Sequence, residues 1–233
     1  MNQYKIQDYK DFVNAMMEVG FSMGGSSREG IFSLLSWNWN EEPPFETPVS
    51  WHTGDPETDP WEWRMRVLEE DTDIAYAKVF FKKSGYITKI WASYFIAVRR
   101  SSFEEDYADG VISNQAKRIY EIVRENGALP SHVIKQLAGF GKAEKSAFDR
   151  ALVELQMKMY LTMCGRQHKV SQKGEIYGWS STMLCTTEDF WGSEVFDQAA
   201  ALSKEEAISA ITEQILMLNP EAEQKNIIKF IKG

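Results

Sequence analysis

The sequence predicts a mainly α fold with small β hairpins, and three observations carry that expectation. Between residues 111 and 192, three stretches of helical periodicity precede two extended stretches that flank a basic turn. Apolar stripes at helical spacing recur before that segment and again after residue 203. Runs that read as strand are short, as at residues 75–81 (AYAKVFF).

The elements follow in order. Residues 5–19 place Phe12, Val13, Met16 and Met17 on one helical face, and Gly20 stops the helix. SMGGSSREG reads as a flexible turn and IFSLLSWNW as a buried strand or a short helix, while the three prolines of EEPPFETP demand a loop. Asp59 is a good N-cap and Pro60 suits a first turn, so residues 61–70 read as helix. After the strand at 75–81, SGY reads as a turn and 90–100 as a helix whose Arg99 and Arg100 suit its C-terminus. Residues 101–110 form an acidic connector and a candidate boundary.

Ser113 then caps a helix with Ala116, Ile119, Tyr120 and Val123 inward, closed by Asn126-Gly127. Residues 131–137 read as a second helix with Val133, Ile134 and Leu137 inward, and AGFGK as a turn. Residues 143–159 form a third, with Phe148, Ala151, Leu152 and Leu155 at core spacing. Residues 160–163 and 177–184 are extended on either side of the basic GRQHKVSQKGE. Helix, helix, helix and hairpin is the order of a winged helix-turn-helix, the hairpin being the wing. A tandem arrangement, with residues 76–100 as remnants of a second module, is the extended form of this reading. Two C-terminal helices, 203–218 and 221–231, meet at Asn219-Pro220, and Ser203 with Glu206 offers a capping box. Their apolar faces are expected on the body, with a homodimer contact as the alternative. The organisation is therefore an N-terminal α/β region at 1–110, a winged-helix domain at 111–192 and a C-terminal helical segment at 193–233.

Net charge is −8 over 233 residues, but it is unevenly distributed. Residues 111–185 hold eleven Lys/Arg against six Asp/Glu, net +5, while the remainder is net −13. A polyanion would land on the central segment. No apolar run reaches membrane-spanning length, and the N-terminus lacks the pattern of a signal peptide. Cys164 and Cys185, without a CxxC motif or a Cys/His cluster, fit a reducing cytoplasm and no structural zinc. The serine-nucleophile, phosphate-loop and dinucleotide motifs (GxSxG, GxxxxGK[ST] and GxGxxG) are not found, and no cofactor is expected.

Two clusters could carry function. Lys142, Lys145 and Arg150 lie toward the start of the third helix, where a recognition helix meets a groove. Arg166, Lys169 and Lys173, with His168, lie in the wing and could engage phosphates. The second cluster is WHTGDPETDPWEWR, residues 51–64. Trp61 and Trp63 could stack an extruded base, and Asp55, Asp59 or His52 could activate water. Equally, Asp-Pro pairs initiate turns, Asp59 caps a helix, and tryptophans anchor loops. The alternation Asp55, Glu57, Asp59 is not a calcium loop, because prolines interrupt it and Arg66 stands where the closing Glu belongs.

The stretches WHTGDPETDPWEWR, KSGYITKIWASYFIAVRR, LAGFGKAEKSAFDRALVELQMKMYL and KGEIYGWSSTMLCTTEDFWG resemble small bacterial proteins described as AlkZ-related. These are distantly similar to winged-helix DNA glycosylases of the AlkZ/YcaQ type. The resemblance spans about residues 12–192. It implies tandem winged helices, DNA as partner, a repair ancestry, and metal-independent removal of alkylated bases if the protein is an enzyme. The glycosylases' signature, a Gln followed two residues later by Gln or Asp, occurs at none of this chain's glutamines. The expectation is therefore a DNA-binding winged-helix protein. A transcription regulator dimerising through its C-terminal helices and a protein-interaction module are the alternatives.

Overall fold

In the computed structural model, helix α1 (Tyr9–Val19) begins where the Asp8 carboxylate accepts the amide of Asp11 at 2.8 Å. It ends at Gly20, with φ +83°, where a Cβ would lie 2.0 Å from the Trp91 ring. Conformation and close approach both require glycine there. Residues 4–25, 28–70, 73–170, 173–174 and 176–233 are described, with backbone alone at 169–170 and 176–179.

Strand β1 (Phe21–Met23) follows directly. The IFSLLSWNW stretch is neither strand nor helix. It buries Ile31, Leu34 and Leu35 as irregular chain, held where the Leu34 amide donates to Ser22 Oγ at 2.8 Å and Met23 donates to Phe32. Its apolar run signals burial, and side-chain and backbone acceptors make burial possible without a ladder. Helix α2 (Pro60–Glu69) starts at the Asp59 cap as expected.

Strands β2 (Ile74–Phe80) and β3 (Lys83–Thr88) form a hairpin whose turn is Phe81-Lys82, at φ +51° and +62°. SGY is not the turn. Gly85 lies inside β3, where a Cβ would meet the Phe80 ring at 2.4 Å and Ser22 O at 2.8 Å. The glycine signal therefore reports close packing, not chain reversal. The sheet order is β1-β3-β2, antiparallel throughout.

Helix α3 (Lys89–Arg99) leads into the acidic connector, which is itself helical as α4 (Phe103–Ala108), closed by a Ser102/Glu105 capping box. Phe103 stacks on Tyr120 at 4.0 Å, and Tyr160 donates to the buried Asp106 carboxylate. Then come α5 (Asn114–Asn126), β4 (Leu129–Pro130), α6 (Ser131–Leu137), a single 3-10 turn at Lys142–Glu144, and α7 (Lys145–Met157). Strands β5 (Leu161–Val170) and β6 (Ile176–Thr186) close a second antiparallel sheet ordered β4-β6-β5. Leu137, expected inward, is 55% exposed. The chain turns just after it at Gly139, and Phe140 fills the core instead, edge-on to Phe148 at 5.3 Å.

Two short helices, α8 (Thr187–Trp191) and α9 (Ser193–Ala200), precede α10 (Lys204–Leu218) and α11 (Gln224–Lys232). Helices α9, α10 and α11 pack on α3, burying Val195, Ile211, Ile215, Ile227, Phe230 and Ile231. Their apolar faces thus complete the N-terminal half's core. Ile208, Leu216, Met217 and Ile228 stay exposed on the opposite side. No described helix is long and apolar enough to cross a membrane.

Arg99 joins the parts. Its side chain is buried and makes no ion pair with a carboxylate among the described residues. Nε donates to Ile231 O at 2.8 Å, Nη1 to Val79 O at 2.7 Å and Met157 O at 3.1 Å, and Nη2 to Phe230 O. Three of those carbonyls end α7 and α11, where the helix dipole is negative. Burial pushes the guanidinium pKa down to about 9, so it stays charged at neutral pH. Arg99→Ala should lower the unfolding free energy by about 3–5 kcal/mol, since buried acceptors lose their donor. Arg99→Lys should recover little of it, because an ammonium cannot fork to four carbonyls. Urea unfolding measures both, and a wild-type midpoint for Arg99→Ala would contradict the role.

Burial raises the hydroxyl pKa of Tyr86 well above its ordinary value, and burial followed by the Asp106 hydrogen bond does the same for Tyr160. The folded chain then holds protons that the unfolded chain releases, so this stability is present below the unfolded tyrosine pKa and lost as pH rises past it. The share of these hydroxyls is a decline in stability above about pH 10, set against the opposite trend of Arg99, whose guanidinium is pushed down to about 9. Urea unfolding of Tyr86→Phe and Tyr160→Phe should show that decline reduced, and an unchanged pH profile would mean these hydroxyls are not held protonated.

Candidate nucleic-acid interface

The carboxylate-rich loop resolves into four engaged groups. Asp59, fully buried, accepts the amides of His52 at 2.9 Å, Gly54 at 2.8 Å and Trp61 at 2.8 Å. It caps α2 and closes the loop at once. Asp55 is exposed, and hydrogen bonds from the Glu57 amide and the Thr58 hydroxyl hold its carboxyl below the usual range. A carboxylate stabilised in that way is a weakened base. Glu57 pairs with Arg66 at 2.7 Å and Glu62 with Arg166 at 3.0 Å. His52, exposed at φ +65°, leans on the Trp61 ring with centroids 4.8 Å apart.

The two tryptophans part company. Trp63 is fully buried, stacked on Phe12 at 5.1 Å with its indole donating to Pro56 O. Trp61 is half-buried and walls a pocket of about 330 Å³ with Trp37, Tyr76, Arg64 and Lys83. The Arg64 guanidinium lies 3.4 Å over the Trp61 ring, and Trp37, 48% exposed, stacks on Trp51. Lys83 pairs with Glu29 beside it. Among the described residues no carboxylate lines this pocket directly.

The six expected DNA contacts are not equivalent. Lys142, Lys145 and Arg150 are exposed on α7 and its lead-in turn, with no ion pair among the described residues. Arg166 instead reaches back to α2, pairing with Glu62 and with Glu69 at 3.4 Å, so its charge is engaged in packing. The backbone of Lys169 pairs with Tyr177, and its side chain lies outside the described residues. Lys173 is exposed between the strands.

One face of the second half of α7 is covered. Gln156, buried, accepts the Lys78 amide at 3.0 Å and so satisfies the edge of β2. Asp149 lies between two depressions, one with Lys78 on its wall and one with Lys82 and Lys158. These lysines, like Trp37 and Tyr76, escape the sequence reading. Nothing local marks them, because they converge only when the β2–β3 hairpin docks on α7.

The geometry makes Asp59 a cap before it is anything else. Asp59→Ala should cost about 1–2 kcal/mol of stability, and Asp59→Asn less. Thermal melts test this, and an unaltered melting temperature for Asp59→Ala would return Asp59 to the list of reactive groups.

The sequence model of one family, described as AlkZ related, matches residues 6–232. No curated protein and no solved structure matches. The match covers nearly the whole chain, both sheets and the C-terminal helices included, and the protein belongs to the AlkZ-related family.

Proposed function

We propose that residues 111–192 are a winged helix-turn-helix that binds DNA through the exposed first half of α7, in a protein related to DNA glycosylases of the AlkZ type. The observation that carries this reading is the exposed set Lys142, Lys145 and Arg150, without ion pairs among the described residues, within residues 111–185, which are net +5. The rest of the chain is net −13 and repels the same polyanion. The order α5-α6-α7 with sheet β4-β6-β5 supports it, because α7 then stands where a recognition helix does. Family membership supports DNA as the partner.

The reading is one of binding without base excision. Excision needs a group that orients water at an extruded base. The loop carboxylates are engaged in caps, turns and ion pairs, and the Trp61 pocket has no carboxylate on its wall. What that pocket offers is an aromatic platform beside the Arg64 guanidinium, with Lys83 engaged by Glu29, which suits an unpaired base.

Fluorescence anisotropy of a labelled duplex against salt tests the first part. Wild-type affinity should rise steeply as salt falls, with roughly three or more counter-ions released. Lys142→Glu with Lys145→Glu and Arg150→Glu should weaken binding at least about tenfold at low salt while melting as wild type does. Retained affinity in a folded triple variant would end the proposal. For the pocket, Trp61→Ala should reduce the preference for a duplex carrying one unpaired base over a fully paired one by about fivefold or more, as the loss of one stacking contact implies. An identical preference would remove the pocket from the interface.

A further inference from the structure

We infer that the β2–β3 turn and α11 form a second phosphate-binding surface, contiguous with α7, that holds the DNA backbone beside the stretch α7 engages. This inference rests on the DNA-binding reading above. Two adjoining grooves, of about 470 and 320 Å³, share Lys82, Met157 and Gly233. Arg150 and Lys158 rise from the α7 side, Lys229 and Lys232 from α11, and Lys82 stands at the junction. None of these five cations has an ion pair among the described residues.

Two acidic residues line the first groove. Glu154 has both oxygens engaged, by the Ser113 amide at 2.6 Å and its hydroxyl at 2.9 Å, which leaves Asp149 as the one side-chain carboxylate without a partner among the described residues, against five cations, with the main chain of Gly233 also lining both grooves. Lysines in the last turn of a helix ordinarily complement its dipole. Here the carbonyls Met157 O, Phe230 O and Ile231 O already accept from Arg99, so the surface lysines remain available.

The turn adds an independent argument. A two-residue hairpin with both φ positive ordinarily carries Asn-Gly, and a lysine there stores strain. Lys82 occupies the second position at φ +62°, and its amide donates to Met157 Sδ at 3.3 Å. That contact fixes the turn against the end of α7 and presents the ammonium at the groove. Lys145 begins the same helix one turn before Asp149, and Lys142 lies on the 3-10 turn that leads into it, so the groove cations and the α7 lysines lie on adjoining elements of a chain that is acidic overall. Cations so placed fit the regular charge of a phosphodiester backbone, and the apolar floor of Val153, Met157 and Phe81 suits the faces of its sugars.

The test compares the salt dependence of duplex binding for the wild-type chain, the triple variant Lys82→Gln, Lys229→Gln, Lys232→Gln, and a charge-matched control Lys5→Gln, Lys10→Gln, Lys204→Gln. All six positions are exposed, and thermal melts verify folding. The groove variant should lose between about two and three from the log–log slope, close to 0.9 per phosphate contact, and the control should lose none. Wild-type binding with an unchanged slope in the groove variant would overturn this surface while leaving α7 as the DNA contact. An equal loss in the control would also overturn it, because net charge alone would then be responsible. Absence of wild-type binding at low salt would defeat this inference and the proposed function together.

Discussion

The guanidinium of Arg99 is the contact that the N-terminal sheet, the central segment and the last helix share. A buried cation ordinarily needs a carboxylate. Here four main-chain carbonyls take that place, one from β2, one from the end of α7 and two from the end of α11. The rings of Phe95 and Phe80 lie 4.7 and 5.5 Å from its centre, and Phe80 stacks on Phe230 at 4.0 Å. Those carbonyls cannot find water, so each element is held where the planar fork can reach it. Arg100 extends the junction outward, donating to Met159 O at 2.9 Å and pairing with Glu188 at 2.6 Å. The central segment is thereby fixed against the rest of the chain.

That fixation decides which part of α7 can meet a partner. One face of its last two turns is covered by β2 and the hairpin turn, while Lys145 and Arg150 are exposed. The same docking brings lysines of the N-terminal half and of α11 onto the flank of a helix from the middle of the sequence. Consecutive residues Lys82 and Lys83 then face different features, the α7 groove and the aromatic pocket.

The loop at residues 51–64 shows why a dense cluster of acids and aromatics need not be an active centre. A loop laid against a core carries amides that need acceptors. Asp59 satisfies three of them, Asp55 orders the turn that follows, and Trp63 anchors the chain beneath. The chemistry that attracts attention in the sequence is the chemistry by which the loop is folded. Trp61 is the member of the cluster left with an exposed face, because the residue that opposes it, Trp37, comes from a different irregular segment.

The sequence by itself determined most helices, since their signals are local. Ser113, Asp59 and Ser203 cap where capping residues should, and the apolar positions of α5, α7 and α11 recur with the period that buries one face. It also determined the charge contrast that favours the central segment as a polyanion site. Three things were decided by tertiary structure. The hairpin turn fell at Phe81-Lys82 because Phe80 must cover Gly85, a contact between positions that no local pattern links. The C-terminal helices closed on α3 because Arg99 and its aromatic shell needed acceptors and partners from outside their own half. The basic residues sorted into engaged and available ones, Arg166 to the acids of α2 and Lys142, Lys145 and Arg150 to the surface, because pairing depends on distances that only the packed chain sets.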